Sequence, residues 1–88
     1  MMNGELIGVR LRQYLTEHFP SARRQSIGEE DSLLGNGILD SLGVLDLVGF
    51  LEQEFGISVA DEDLVPEHFE TIRHITAFVE GKRSVSSR

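Results

Sequence analysis

The chain has 88 residues, contains no cysteine and carries a formal net charge of −7 at pH 7. A chain of this length forms one domain with one small core, and without cysteine it has no disulfide, thiolate metal site or cysteine nucleophile. No Lys or Arg lies between Arg24 and Arg73, a segment that contains twelve acidic residues. Such a surface repels nucleic acid and attracts basic proteins.

The beginning of the chain, from Met1 to Gly8, lacks the basic region and the apolar run of a signal peptide. No stretch stays apolar over the length that a membrane span requires. We therefore expect a soluble, cytoplasmic protein that binds neither membranes nor nucleic acid. We assign residues 1–83 to a single domain, and we expect the small and polar residues 84–88 to form a disordered tail.

The first predicted element is a helix over residues 5–19, which Pro20 helps to end. Its apolar side chains recur at helical spacing, at Ile7, Leu11, Tyr14, Leu15 and Phe19. Residues 20–40 then form a long connection that contains two apolar pairs, Leu33-Leu34 and Ile38-Leu39. These pairs predict a loop that is held against the core, and long loops in small domains are often functional.

The second predicted helix covers residues 41–55 and has the clearest pattern. A turn of 100° per residue places five apolar side chains on one face, those of Val44, Leu47, Val48, Leu51 and Phe55. Asp40 suits the N-cap of this helix, and Gly56 suits the position after its last turn. Two glycines inside the helix, Gly43 and Gly49, are each expected to cost about 0.5–1 kcal/mol of stability relative to alanine.

Two further elements complete the expected fold. Pro66 can open a short helix through Phe69, and a last helix runs from about Thr71 to Gly81. Its apolar face contains Ile72, Ile75 and Val79, with Phe78 beside them. No segment shows a strand pattern. The sequence therefore predicts an all-α fold, a small four-helix bundle with three main helices, one short helix and a long loop between the first two.

Ser41 is the candidate for chemistry because it stands at the head of the second helix. A serine hydrolase is disfavoured, since the Gly-x-Ser-x-Gly turn is absent and no strand precedes Ser41. The three histidines, His18, His68 and His74, lack the spacing of a metal site. The acidic stretch 61–70 lacks the glycine and the final glutamate of a calcium loop. We predict no catalytic residue and no metal ligand, and we interpret Ser41 as a residue on which another enzyme acts.

Three motifs give this interpretation a specific form. Asp40-Ser41-Leu42 opens an acidic helix, Leu51-Glu52-Gln53-Glu54-Phe55-Gly56-Ile57 closes it, and Phe69-Glu70-Thr71-Ile72 leads into the last helix. Over about residues 5–80 the chain resembles the acyl carrier protein family, which also includes peptidyl carriers. The three-residue motif alone is common at helix starts, whereas the combination with the other two motifs is specific.

The resemblance implies that a phosphopantetheinyl transferase moves 4′-phosphopantetheine from coenzyme A to Ser41, between Asp40 and Leu42. The thiol of this arm then carries a cargo as a thioester, and acyl-loading and acyl-processing enzymes with basic docking surfaces act on it. The chain itself is then a carrier and not an enzyme. Carriers of the fatty-acid type usually have an acid directly after Asp-Ser-Leu. Gly43 stands there in this chain, which favours a specialised pathway.

The face of the second helix opposite its core stripe is the predicted docking surface. It contains Leu42, Leu45 and Gly49, with Asp46 and Glu52 at its edges. The alternative is that the long loop or the short helix covers the two leucines.

Two other functions stay open, an aminoacyl or peptidyl carrier and an unmodified acidic helical adaptor. The acidic helix favours an acyl cargo. Nothing in the sequence requires more than a monomer.

Overall fold

The computed structural model describes residues 4–86. Its α-helices are α1 (Gly4–His18), α2 (Pro20–Gln25), α3 (Ser41–Phe55) and α4 (Ile72–Ser86), and its two 3₁₀ helices are Asp61–Asp63 and Pro66–Phe69. Within these residues the chain forms no strand. The prediction of a small all-α fold with four helices is therefore confirmed.

The core forms where the apolar stripes of the helices meet. Its buried members include Ile7, Leu11 and Leu15 from α1, Leu47, Leu51 and Phe55 from α3, and Ile72, Ile75 and Val79 from α4. Other predicted members pack against this core while partly exposed, namely Tyr14, Phe19, Val44, Val48 and Phe78. The helical spacing of apolar residues thus predicted the buried face of each long helix.

Residues 26–40 form the long loop, and it is held on the core as predicted. Leu33 is fully buried, and Ile38 and Leu39 are buried beside it. Backbone hydrogen bonds join the loop to the start of α4: Leu33 N–H donates to the Glu70 carbonyl at 2.7 Å, and Arg73 N–H donates to the Glu29 carbonyl at 3.1 Å. The loop therefore has a fixed path between α2 and α3.

Both ends of α3 form for the predicted reasons. The carboxylate of Asp40 accepts a hydrogen bond from Gly43 N–H at 2.7 Å, which satisfies one of the free donors of the first turn. At the other end Gly56 has φ 67°, a conformation that favours glycine, and its N–H donates to the Glu52 carbonyl at 3.0 Å.

Three elements differ from the predictions. Residues 20–25, predicted as loop, form α2, in which Pro20 stands at the first helical position, where its missing N–H costs nothing. The predicted short helix at Pro66–Phe69 is a 3₁₀ helix. Helix α4 continues to Ser86, beyond the expected end at Gly81, because glycine weakens a helix without breaking it. Residues 87–88, the rest of the predicted tail, lie outside the described residues.

Across residues 4–86, none of the helices combines the length and the apolar character that crossing a membrane would require.

Candidate functional site

Ser41 is the first residue of α3, and its side chain is exposed. The N-terminus of a helix presents N–H groups that have no partner within the helix, and the helix dipole adds partial positive charge there. An anionic group attached to an exposed side chain at this position is therefore favoured electrostatically. Asp40 occupies the cap and keeps the first turn in place.

Gly43 lies two residues beyond Ser41 and is buried in the first turn of α3. A Cβ atom at this position would stand 3.0 Å from a ring carbon of Phe19 and 3.2 Å from the Asp40 carboxylate oxygen. A side chain at Gly43 would therefore crowd both the cap and the aromatic ring, which opposes the gain in helix propensity expected of an alanine. Gly49 behaves differently, since a Cβ atom there would have no neighbour within 4 Å.

An apolar hollow of about 550 Å³ begins beside Ser41, and we call it the Ser41 hollow. Its lining comes from the long loop, the start of α3 and the segment 64–69. It contains Leu34, Asp40, Ser41, Val44, Leu45, Leu64, Val65, Pro66 and Phe69. Only Asp40 and Ser41 among these side chains are polar, and both lie at the helix start. The hollow can therefore shelter an apolar group that is attached close to Ser41.

The two predicted docking leucines are both exposed, Leu42 at 73% and Leu45 at 55%. The long loop and the 3₁₀ helices therefore do not cover them. Leu45 forms part of the Ser41 hollow, whereas Leu42 is part of neither this hollow nor the groove described next.

A second concavity, about 1010 Å³ in volume, lies between α1 and α3, and we call it the α1–α3 groove. Its lining contains Arg10, Gln13, Tyr14, Glu17 and His18 from α1, Phe19 after it, and Asp46, Gly49, Phe50, Glu52 and Gln53 from α3. Three of the predicted docking residues, Asp46, Gly49 and Glu52, are thus brought together here. The predicted docking surface is therefore divided: Leu45 lines the Ser41 hollow, these three residues line the α1–α3 groove, and Leu42 lines neither.

Aromatic rings join the two helices in the α1–α3 groove. The rings of Tyr14 and Phe50 stack with centroids 4.1 Å apart. The ring centroid of His18 lies 4.5 Å from that of Tyr14. Burial raises the pKa of Tyr14 above its ordinary value, and the negative charge of Asp46 raises that pKa further. Asp46 therefore acts electrostatically on the Tyr14 ring across the groove.

The acidic segment is partly neutralised by cations from other helices. Ion pairs join Glu30 to Arg73 at 2.5 Å, Asp63 to Lys82 at 2.6 Å, and Glu54 to Arg10. The hydrogen bond from Lys82 is the largest cause that lowers the pKa of Asp63. Glu52, one of the predicted docking acids, accepts a hydrogen bond from Val59 N–H at 2.9 Å and so also holds the chain after α3.

His68 and His74 each contact a neighbouring side chain. His68 stacks on Phe78 with ring centroids 4.7 Å apart, and the His74 ring nitrogen lies 2.8 Å from the Thr71 hydroxyl. Over residues 4–86, no three His, Cys, Asp or Glu side chains gather closely enough to hold a metal ion.

Sequence reasoning missed most of the wall of the Ser41 hollow. Leu34, Leu64, Val65 and Pro66 were not singled out for any site. The available signal was the apolar run Leu64-Val65-Pro66 directly after three acidic residues, together with Leu34, which was assigned only to holding the long loop against the core. Their assembly around Ser41 depends on the tertiary fold.

Comparison with known proteins finds a family profile for phosphopantetheine attachment and relatives that include two described as acyl carrier proteins. A family profile described as "Phosphopantetheine attachment site" matches residues 13–79. The chain is 33% identical to "Acyl carrier protein" from Thermotoga maritima over 82 residues, which cover 93% of this chain and 98% of that protein. It is 27% identical to "Probable acyl carrier protein PigG" from Serratia sp. over 71 residues, 81% of this chain and 82% of that protein.

The geometry fits the covalent group of this family, 4′-phosphopantetheine. An exposed serine at a helix N-terminus can bear a phosphodiester, and an apolar hollow adjoins it. Members of the family work with a phosphopantetheinyl transferase and with biosynthetic enzymes, and are themselves carriers rather than enzymes. The chain belongs to the family of phosphopantetheine-bearing carrier proteins, which includes the acyl carrier proteins.

Proposed function

We propose that Ser41 is the attachment site and that the protein carries an acyl group as a thioester at the end of the arm. The motif Asp40-Ser41-Leu42 lies inside the matched region, and the hydroxyl of Ser41 is accessible to a transferase. The arm is supplied by coenzyme A. Oxygen Oγ of Ser41 forms a bond to the phosphorus next to the pantetheine, the bond from that phosphorus to the remaining nucleotide bisphosphate breaks, and a base of the transferase takes the hydroxyl proton.

The apolar lining of the Ser41 hollow is the observation that supports an acyl cargo over an aminoacyl or peptidyl one. Val44, Leu45 and Phe69 offer a hydrocarbon chain contact without any charged partner in the interior of the hollow. A peptide or amino group placed there would lose hydrogen bonds to water and find no replacements. An acyl chain would instead gain from leaving water.

Partner enzymes with basic surfaces are proposed to dock on α3, on Leu42, Leu45, Asp46, Gly49 and Glu52. The acids are exposed and lie along the same helix as Ser41. Charge attraction should raise the encounter rate, whereas apolar contacts should lengthen the life of the complex. We propose that the pathway is a specialised one, because Gly43 replaces the acid usual in carriers of the fatty-acid type. We also propose that the protein acts as a monomer.

Intact mass after co-expression with a transferase of broad specificity tests the attachment. Wild type should gain the mass of one phosphopantetheine, and Ser41→Ala should fold and gain none. Ser58→Ala is the matched control, since Ser58 is exposed and lies outside the motif. An unmodified wild type would favour the acidic adaptor, and a modified Ser41→Ala variant would place the arm elsewhere.

Modification rates test the docking surface. Asp46→Lys should slow the modification of Ser41 most at low ionic strength, where charges are screened least. Asp61→Lys makes the same charge change at an exposed position outside α3 and is the control. Leu42→Ala should slow modification with a smaller dependence on salt. Equal rates for Asp46→Lys and Asp61→Lys at low salt would exclude this docking surface.

A further inference from the structure

Phe19 stands where α1 ends and α2 begins, and the backbone of both helices holds it there. Its N–H donates to the Leu15 carbonyl at 2.9 Å, and its carbonyl accepts the N–H of Ala22 at 2.9 Å. Between these bonds Phe19 is extended, with φ −126° and ψ 104°, and turns the chain from one helix into the next. The point from which the Phe19 ring projects is therefore fixed by two helices.

Neighbouring aromatic side chains fix the ring itself. The Phe19 ring meets the Tyr14 ring edge to face, with centroids 6.0 Å apart. Tyr14 in turn stacks on Phe50, so the contacts between rings extend from α1 to α3. Such pairs favour particular angles, because the positive edge of one ring faces the negative face of another. Phe19 is also half-buried against the core, which leaves its ring little freedom to turn away.

The Phe19 ring lies against the first turn of α3. A Cβ atom on Gly43 would stand 3.0 Å from Cε1 of Phe19 and 3.2 Å from Oδ1 of Asp40. The backbone N–H of Gly43 also donates to the Asp40 carboxylate at 2.7 Å. The absence of a side chain at Gly43 thus lets the ring and the cap approach the same turn of backbone from two sides.

The hold on this turn matters because Ser41 is its first residue. The first turn of a helix frays easily, since its N–H groups have no partner within the helix. Ser41 is exposed, whereas Gly43 is buried two residues further on, so packing holds the turn at Gly43. A reaction between two groups depends steeply on their relative placement. Motion of the turn would therefore slow a reaction at the Ser41 hydroxyl.

We propose that Phe19 is a positioning residue for the transfer of phosphopantetheine to Ser41, and that it acts through Gly43. The inference rests on the attachment site proposed above. The ring takes no part in the bonds that form and break. It keeps the first turn of α3 in one place, so that Oγ of Ser41 meets the phosphorus from which the nucleotide bisphosphate leaves while a base of the transferase takes the hydroxyl proton. Loss of the ring should slow transfer within the complex and leave docking along α3 unchanged.

Amide hydrogen exchange measures the hold of the ring on the turn without any enzyme. Phe19→Ala should raise the exchange rate of the Gly43 N–H roughly tenfold, because the bond to the cap then opens more often. The N–H of Gly56, bonded at the other end of the same helix, is the internal control and should change by less than about twofold. Phe78→Ala is the matched variant, since Phe78 is also half-buried against the core but lies on α4. It should not affect Gly43 more than Gly56.

Transfer kinetics measure the consequence at Ser41. The full-length protein without the arm is the varied substrate of a broad-specificity transferase at saturating coenzyme A. Phe19→Ala should lower kcat roughly tenfold and change the KM for the carrier by less than about twofold. Phe19→Tyr keeps the ring and should retain the wild-type kcat, as should Phe78→Ala. Phe19→Leu repeats the test in a variant that keeps most of the buried volume and loses the reach of the ring.

A double-mutant cycle tests whether Phe19 acts through Gly43. Gly43→Ala should lower kcat in the wild-type background, where its methyl group crowds the ring, and should lower it no further in the Phe19→Ala background. Additive losses would overturn the route through Gly43. An unchanged kcat and Gly43 exchange rate in Phe19→Ala, or equal losses in Phe78→Ala, would overturn the positioning role while the carrier function stands. A wild type that gains no phosphopantetheine would contradict both.

Discussion

The two concavities beside α3 differ in both lining and origin. Leu45 lines the Ser41 hollow, and its neighbour Asp46 lines the α1–α3 groove. One residue along a helix is a rotation of 100°, so adjacent side chains can belong to different surfaces. A single helix thus separates an apolar space, which we propose for the cargo, from an acidic and aromatic space that contains three of the proposed docking residues.

The origins of the two concavities are as different as their chemistry. The groove joins stripes from two long helices, whereas the hollow combines the long loop, α3 and the segment 64–69. The groove thus depends on how two helices cross. The hollow depends on the paths of irregular segments.

The largest effect on the stability of the protein is expected from a residue that packs α3 against the core. Leu51 is fully buried on the core face, so Leu51→Ala should lower the free energy of unfolding by about 2–5 kcal/mol. Leu42→Ala, at a position 73% exposed, should change it by less than about 0.5 kcal/mol. Urea denaturation measures both. Similar midpoints for the two variants would show that α3 turns a different face to the core.

Cargo length should affect stability through the hollow alone. Octanoyl cargo on the arm should raise the free energy of unfolding over acetyl cargo by on the order of 1–3 kcal/mol, since part of the longer chain leaves water. Leu45→Gln should reduce this difference, and Gly49→Leu should preserve it. Thermal or urea unfolding of the loaded proteins gives the values. Equal stability with both cargoes would mean that the acyl chain stays outside the hollow.

The two glycines of α3 should respond to alanine with opposite signs. Gly43→Ala should destabilise the protein by about 1 kcal/mol, because crowding against Phe19 exceeds the gain in helix propensity. Gly49→Ala should stabilise it by about 0.5–1 kcal/mol, since its methyl group meets open space. Paired urea curves suffice. A gain at both positions would show that the Phe19 ring moves aside.

The smallest effect is a pH dependence that arises in the groove. The pKa of Tyr14 should lie above its ordinary value of 10.0, and Asp46→Asn should lower it only in part, because burial is the larger cause. Since the folded-state pKa is raised, the contribution of the neutral phenol to stability is present below pH 10 and is lost as the pH rises through the folded-state pKa. Absorbance of the single tyrosinate follows the titration. A Tyr14 pKa at or below 10.0 would contradict the described burial.

Local rules explain what the sequence could predict. Helical spacing predicted the core faces, and the capping preferences of Asp and Gly predicted both ends of α3. Helix α2 was not predicted because its six residues contain one buried side chain, Ala22, and one residue cannot show a helical period. The preference for alanine over glycine describes an isolated helix and takes no account of the close contact of position 43 with Phe19, which is tertiary.

The candidate site was predictable in its chemistry but not in its shape. Ser41 and the docking residues followed from one helix and its motif, and they remain predictions to be tested. The Ser41 hollow could not be predicted, because Leu34 and Phe69 come together only through the fold. The division of the docking surface likewise depends on α1, which lies far from α3 in sequence.

The backbone bonds between the long loop and the start of α4 set an order of events during synthesis. Leu33 and Glu29 bond to Glu70 and Arg73, about forty residues later in the chain. While a ribosome still shields that later segment, the loop before Ser41 lacks the two backbone bonds that join it to the start of α4. We therefore expect a nascent chain that ends before residue 70 to be a poor substrate for the transferase, so that modification follows the completion of the polypeptide.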